Sequence, residues 1–169
     1  MAKRLSEEAE GRFLEVLGQH EQIINKVIRI YRIDSEDRRD LFQEIVYQLW
    51  RSYESFKGES RVSTWIYRVA LNTAITSLRK SKKVPEQTEL NDQVVHGQES
   101  FDTPDRGEQV QQLYSAIRSL GEVDRALVML YLEELSYKEI AEVLGLTEDN
   151  VGVKLNRIKT RLRVLIGAN

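Results

Sequence analysis

The residues with the most evident chemistry lie at the C-terminal end of the chain. Between Asn150 and Asn169 it carries Lys154, Arg157, Lys159, Arg161 and Arg163 and no acidic residue. Cations in that density on one helix suit a row of phosphates, because each neutralised phosphate releases condensed counterions. Asn156 adds an amide that can meet an adenine edge, and Val153 adds an apolar contact for a thymine methyl, with Asn150 beside them. A solvated helix closing a bundle would tolerate the same charge. Elsewhere there is little for bond-making chemistry. The chain has no cysteine, which excludes disulfides, thiolate zinc sites and a cysteine nucleophile. No His-rich metal spacing, carboxylate pair, Gly-rich phosphate loop or serine elbow occurs either. The expectation is a binding protein with no catalytic residue, no metal and no cofactor. His20 is read as a structural hydrogen-bonding residue, since the other histidine, His96, lies in an acidic stretch.

The elements that must position these side chains form a helix-turn-helix over residues 135–165. Ser136 with Glu139 three residues on has the spacing of a capping box. Ile140, Ala141 and Leu144 mark the buried side of a short helix. Gly145 suits a left-handed turn residue, and Thr147 suits the next N-cap. Val151, Leu155, Ile158, Leu162 and Leu165 then recur at helical spacing, so this stripe is expected to be buried. At about 100° per residue the opposite face centres on Asp149, Val153, Asn156 and Thr160, with Asn150 and Arg157 beside it and Lys154 and Arg161 flanking it.

The 169 residues, 41% of them hydrophobic, permit one large domain or two small ones. The net charge of -2 hides a segregation. Residues 1–83 carry 16 cations against 12 acids, residues 84–109 carry 1 against 7, and residues 110–169 carry 8 of each. The acidic middle contains both prolines and has little apolar periodicity, so it reads as a flexible linker. Pro104, with Asp102 and Thr103, suits the start of a further helix lined by Val110, Leu113, Tyr114, Ile117 and Leu120. Another helix follows Gly121, from Val123 to Leu132. No apolar run approaches a membrane span of about 20 residues and no signal-peptide segment is visible. A cytoplasmic protein without membrane insertion is expected.

The N-terminal part reads as three helices. Phe13, Leu17, Ile24, Val27, Ile28 and Tyr31 share one side of a helix from about Glu7 to Arg32. Asp34 or Ser35 caps a second, with Leu41, Phe42, Ile45, Val46, Leu49, Trp50 and Tyr53 as its apolar stripe. Its polar side holds Asp40, Gln43, Glu44, Tyr47, Gln48 and Arg51. After a polar loop with one glycine, Ser63 caps a third helix, Thr64 to about Lys80. Its core face is Trp65, Ile66, Val69, Ala70 and Ala74. The fold class is therefore all-α: two small helical domains joined by an acidic linker, the C-terminal one a helix-turn-helix.

Three stretches carry a resemblance: Asp40-Leu41-Phe42-Gln43-Glu44, Thr64 through Asn72 (TWIYRVALN), and Leu135 through Ala141 (LSYKEIA). In this order they resemble regions 2 and 4 of bacterial sigma factors. The short linker makes the chain similar to the extracytoplasmic-function (ECF) group. The resemblance implies binding of core RNA polymerase and promoter DNA, and an anti-sigma factor as a further partner. Residues 1–83 would bind polymerase and the -10 element, and residues 110–169 the -35 element. Asp40, Gln43, Glu44 and Tyr47 match the polymerase-docking surface. Gln48, Ser52, Phe56, Val69 and Asn72 match the pocket for an extruded -10 base. Lys57 belongs to the capture loop, 57–62, and Arg79 and Lys80 would hold neighbouring phosphates. In the -35 module the matching residues are Asn150, Val153, Lys154, Asn156, Arg157 and Arg161. Gly152 stands where the family commonly has a basic residue, Leu130 where it often has an arginine facing the -35 DNA, and Thr76 where it usually has an acid. A second reading of the same residues is a free-standing helix-turn-helix regulator that binds duplex DNA as a dimer.

Overall fold

A computed structural model of the chain describes residues 2–32, 34–83 and 107–167, with side chains from residue 6 onward. Among these residues every regular element is a helix: α1 Ala2–Tyr31, α2 Ser35–Tyr53, α3 Val62–Lys83, α4 Glu108–Arg118, α5 Glu122–Leu132, α6 Tyr137–Leu144 and α7 Glu148–Gly167. The all-α class read from periodicity holds. Most of the acidic stretch, with the helix start expected at Pro104, lies outside the described residues; α4 begins at Glu108 behind Gly107.

The first unit packs α1, α2 and α3 around one core. Ile24, Val27 and Ile28 of α1 meet Leu41, Ile45 and Leu49 of α2 and Ile66, Ala70, Leu71 and Ala74 of α3, all buried. Asp34 caps α2 by accepting from the Glu36 amide at 2.8 Å. The third helix is longer than its periodic stripe implies, beginning at Val62 and continuing through Ser81 to Lys83. Lysine and arginine are good helix formers, and no glycine or proline intervenes before Pro85 to end it.

The second unit places α4 and α5 beneath the α6–α7 pair. Its core is Ile117, Leu120, Ala126, Leu127, Leu130, Ile140, Val143, Val151, Leu155 and Ile158. Two expectations change here. Leu130 is fully buried, so it packs the core and cannot face DNA. The apolar stripe of α7 is fully buried only as far as Ile158; Leu162 is half-buried against the core, and Leu165 is 43% exposed. At 1.5 Å per residue the 20-residue α7 is about 30 Å long, but α4 and α5 have 11 residues each, about 16 Å, and run out beneath it.

The two units touch. Lys26 of α1 reaches Glu133 at 2.8 Å, and the buried Tyr67 of α3 donates its hydroxyl to the same carboxylate at 3.2 Å. Tyr31 donates to the Glu122 carbonyl, and Arg125 lies 5.8 Å from the centre of the Tyr31 ring. Burial pushes both tyrosine hydroxyls well above their ordinary range, further helped by Glu133 at Tyr67 and opposed by Arg125 at Tyr31.

Candidate nucleic-acid interface

Two surfaces gather the residues singled out in the sequence. The first is a groove of about 700 Å³ between α2 and α3. Asp40, Glu44 and Gln48 project into it from α2, where they recur every four residues and so share one face. Asn72, Thr73, Thr76, Ser77 and Lys80 line the other wall. Gln48 donates to Glu44 at 2.9 Å, which aims its amide along the groove, and Arg32 donates to Ser77 at 2.8 Å to close one end. The groove thus joins two of the expected docking residues to three of the expected -10 residues. Gln43 and Tyr47 are exposed on α2 outside it, with Arg51 5.8 Å from the Tyr47 ring centre.

The other -10 candidates do not line this groove. Phe56 stacks on Trp65 with ring centres 4.8 Å apart, and Ser52 donates its hydroxyl to the Gln48 carbonyl of its own helix at 2.9 Å. Val69 is half-buried, and Lys57 is exposed beside Gly58, whose positive φ of 71° turns the loop. Arg79 points to the other unit, where its Nε lies 3.1 Å from Glu122. The hydroxyl wall of Thr73 and Ser77 was not singled out in the sequence. Its signal was available in the polar positions 72, 73, 76, 77 and 80, which share one helical face.

The second surface is α7 in its helix-turn-helix setting. Ser136 accepts from the Glu139 amide at 3.2 Å while the Glu139 carboxylate accepts from the Ser136 amide at 2.8 Å, the reciprocal box read from spacing. That backbone hydrogen bond, then the Ser136 hydroxyl, holds the Glu139 carboxyl below its usual value, with Arg61 adding a smaller pull. Gly145 takes the left-handed conformation, φ 66°, and Thr147 caps α7 through the Asn150 amide at 3.2 Å. Asn150, Val153, Asn156, Arg157 and Arg161 are exposed together on α7, and Lys154 is half-buried beside them. Lys159 turns away, with its ammonium 3.1 Å from the Tyr131 hydroxyl and 4.2 Å from that ring's centre. Glu148 and Asp149 occupy the first turn of α7, so its N-terminal dipole already faces carboxylates and phosphate contact falls to the cations further along. A Cβ placed on Gly152 would lie 3.5 Å from the exposed Tyr137 ring, an ordinary contact.

Known proteins share this arrangement. The Sigma-70 region 2 pattern matches residues 17–84 and the Sigma-70 region 4 pattern matches residues 110–162. The ECF RNA polymerase sigma-E factor of Haemophilus influenzae is 32% identical over 139 residues, 75% of this chain and 73% of that one. The chain belongs to the ECF RNA polymerase sigma factors. The RNA polymerase sigma factor YlaC of Bacillus subtilis is 28% identical over 149 residues, 85% of each chain. Two solved structures share the fold at 18% identity. The Bartonella quintana sigma factor RpoE, in complex with the anti-sigma factor NepR, aligns with a TM-score of 0.66 over 95% of this chain and 97% of its own. CnrH, in complex with the cytosolic domain of CnrY, aligns at 0.68 over 97% and 95%. As a sigma factor the chain binds core RNA polymerase and directs promoter recognition. Because region 2 accounts for residues 17–84, the free-standing regulator gives way to this reading. Among the described residues no helix is long and apolar enough to cross a membrane.

Proposed function

We propose that residues 1–83 dock on core polymerase and capture a -10 base, that residues 84–109 connect the modules, and that residues 110–169 bind the -35 element. The observation that carries this division of labour is the α2–α3 groove, where Gln48, Asn72 and Lys80 converge with Asp40 and Glu44 on one rim. Two amides can hydrogen-bond the edge of an extruded base, which costs a few kcal/mol to unstack. Lys80 supplies the cation for the phosphate next to it. Asp40 and Glu44 repel phosphate, so the DNA backbone enters from the Lys80 end and leaves the acidic rim, with Gln43 and Tyr47, to the polymerase. Phe56, Ser52 and Val69 lie outside this groove and are assigned to the base pocket by the family pattern alone, with Lys57 in the capture loop. On α7, Arg157 and Arg161 hold phosphates while Asn150, Val153, Lys154 and Asn156 face the bases of the -35 major groove.

The protein acts in the cytoplasm and has no catalysis of its own; the chemistry of RNA synthesis belongs to the polymerase. An anti-sigma factor, the kind of partner bound to the Bartonella quintana protein, holds it in reserve. Run-off transcription with core polymerase tests the reading as a whole, and promoter-dependent transcripts are expected. Charge reversal at both Asp40 and Glu44 is expected to abolish co-purification with core polymerase. Normal recovery of the complex would place docking on another surface.

A further inference from the structure

Asp149 stands at the centre of the exposed face of α7, an acid among the residues placed against DNA. It lies in the first turn, and Val153 and Asn156 follow it on the same side, all three exposed. Capping does not use its carboxylate, because Thr147 already accepts from the Asn150 amide at 3.2 Å. Among the described residues that carboxylate has no hydrogen-bond or ion-pair partner. The helix dipole does not require it either, since Glu148 occupies the same turn. The two acids face different ways. Glu148 shares its side of the helix with Gly152, beside the Tyr137 ring, and with the buried Leu155, about 100° round from Asp149.

A carboxylate turned toward a polyanion weakens binding unless a donor receives it. In the major groove the bases offer two such donors, the N4 amino group of cytosine and the N6 amino group of adenine. Adenine carries its N7 acceptor beside N6, and the O4 acceptor of the paired thymine lies on the other flank. Cytosine offers N4 with no second acceptor on its own edge, while guanine and thymine present acceptors alone. In a helix-turn-helix the N-terminal residues of the second helix are the ones that reach base edges.

We propose that Asp149 is a specificity-determining residue of the -35 contact, accepting the N4 amino group of one cytosine and rejecting the other three bases at that position by repulsion. The proposal rests on the reading of α7 as the -35 helix and adds to it a base that neither the cations nor the asparagines select. Most of the discrimination comes from the wrong bases being repelled, so it lowers affinity elsewhere instead of raising it at the site. Helix spacing locates the cytosine. At 1.5 Å per residue Asp149 precedes Val153 by about 6 Å and Asn156 by about 10 Å, which at 3.4 Å per base step is about two and three base pairs.

The test assembles the full chain with core polymerase and selects bound promoters from a library randomised across the -35 element and fixed elsewhere. The wild type is expected to enrich cytosine at one position. Exchanging that C·G pair for T·A puts an acceptor where N4 was, and should weaken binding at least about tenfold for the wild type but less than about threefold for Asp149→Ala. Asp149→Asn is expected to lose the preference for cytosine and to admit adenine, whose N6 and N7 pair with a side-chain amide. Glu148→Gln makes the same change of charge one residue away and is expected to raise affinity evenly, with base preferences unaltered. Asn156→Ala is expected to erase the preference at another position, which reports α7 as the -35 helix independently of Asp149. Enrichment persisting at the remaining positions shows that α7 is folded in each variant. Cytosine enrichment that survives Asp149→Ala, or a wild-type selection without cytosine, overturns the proposal. So does an even change at all positions in Asp149→Asn that matches Glu148→Gln, which would leave Asp149 to the helix dipole. Promoter-dependent run-off transcription reports the sigma-factor reading separately, whichever -35 bases are chosen.

Discussion

Phe56 and Asn72 match the same pocket in the family pattern, yet their surroundings differ in a way that separates binding from stability. Asn72 is exposed on the groove wall, whereas Phe56 is half-buried and stacked on Trp65. Phe56→Ala is expected to lower unfolding free energy by about 1–3 kcal/mol through lost packing. Asn72→Ala should leave it within about 0.5 kcal/mol. Both should reduce permanganate reactivity of an open promoter. Equal stability losses in urea titrations would show that Asn72 has a structural role. Gly152 poses the converse case. It sits in α7 with room for a Cβ at 3.5 Å from Tyr137, so no close approach requires a glycine there. Gly152→Ala is expected to raise stability by about 0.5–1 kcal/mol, read as a shift of the urea midpoint. Destabilisation would mean that the Tyr137 ring cannot accommodate even this contact. Leu130 illustrates what resemblance alone misses. It stands before the Leu-Ser-Tyr motif, where the family often has an arginine facing DNA, but an apolar side chain on α5 goes where burial stabilises it most, into the core.

At the scale of elements, the parts legible in the sequence were those set by local rules. The Ser136–Glu139 box, the left-handed Gly145 and the Thr147 cap follow from side-chain reach and backbone sterics over three or four residues. The ends of α3 and the exposed C-terminal turns of α7 were less legible. They depend on how far a helix can run past its neighbours, which periodicity does not encode. The capping box also predicts a pH response. Glu139 is held below its usual carboxyl value chiefly by the Ser136 amide, with the Ser136 hydroxyl and Arg61 also favouring the ionised form. A depressed folded value means that the carboxylate's contribution is fully present above the unfolded value of about 4.3 and is lost as pH falls through the lower, folded one. Amide exchange in α6 should accelerate relative to α5 as the pH drops through that window. Glu139→Gln should remove this component, since its amide forms the box without titrating. An unchanged acid response in that variant would assign the loss to another carboxyl.

For the whole molecule, the sequence marked two modules but not their contact. Tyr67–Glu133 and Lys26–Glu133 join residues 66 and 107 positions apart, and neither pair has a periodic signature. Tyr67 is not among the core-face residues that periodicity names, although it is buried, and its hydroxyl partner Glu133 belongs to the second unit. That contact has a thermodynamic consequence. Units that share buried apolar surface stabilise each other, so loss of one exposes that surface and draws the other with it. The full chain at low salt is expected to unfold in a single calorimetric transition. Tyr67→Ala removes the buried ring together with its hydrogen bond to Glu133, and should split the transition in two. Tyr67→Phe keeps the ring and loses only the hydroxyl, so it should retain one transition at a lower midpoint. Residual coupling through Glu122 and Glu139 should then be visible in the alanine variant as two transitions that move further apart as salt is raised. If the wild type already unfolds in two well-separated steps at low salt, the buried contact is too small to couple the modules, and Tyr67 serves only the stability of the first.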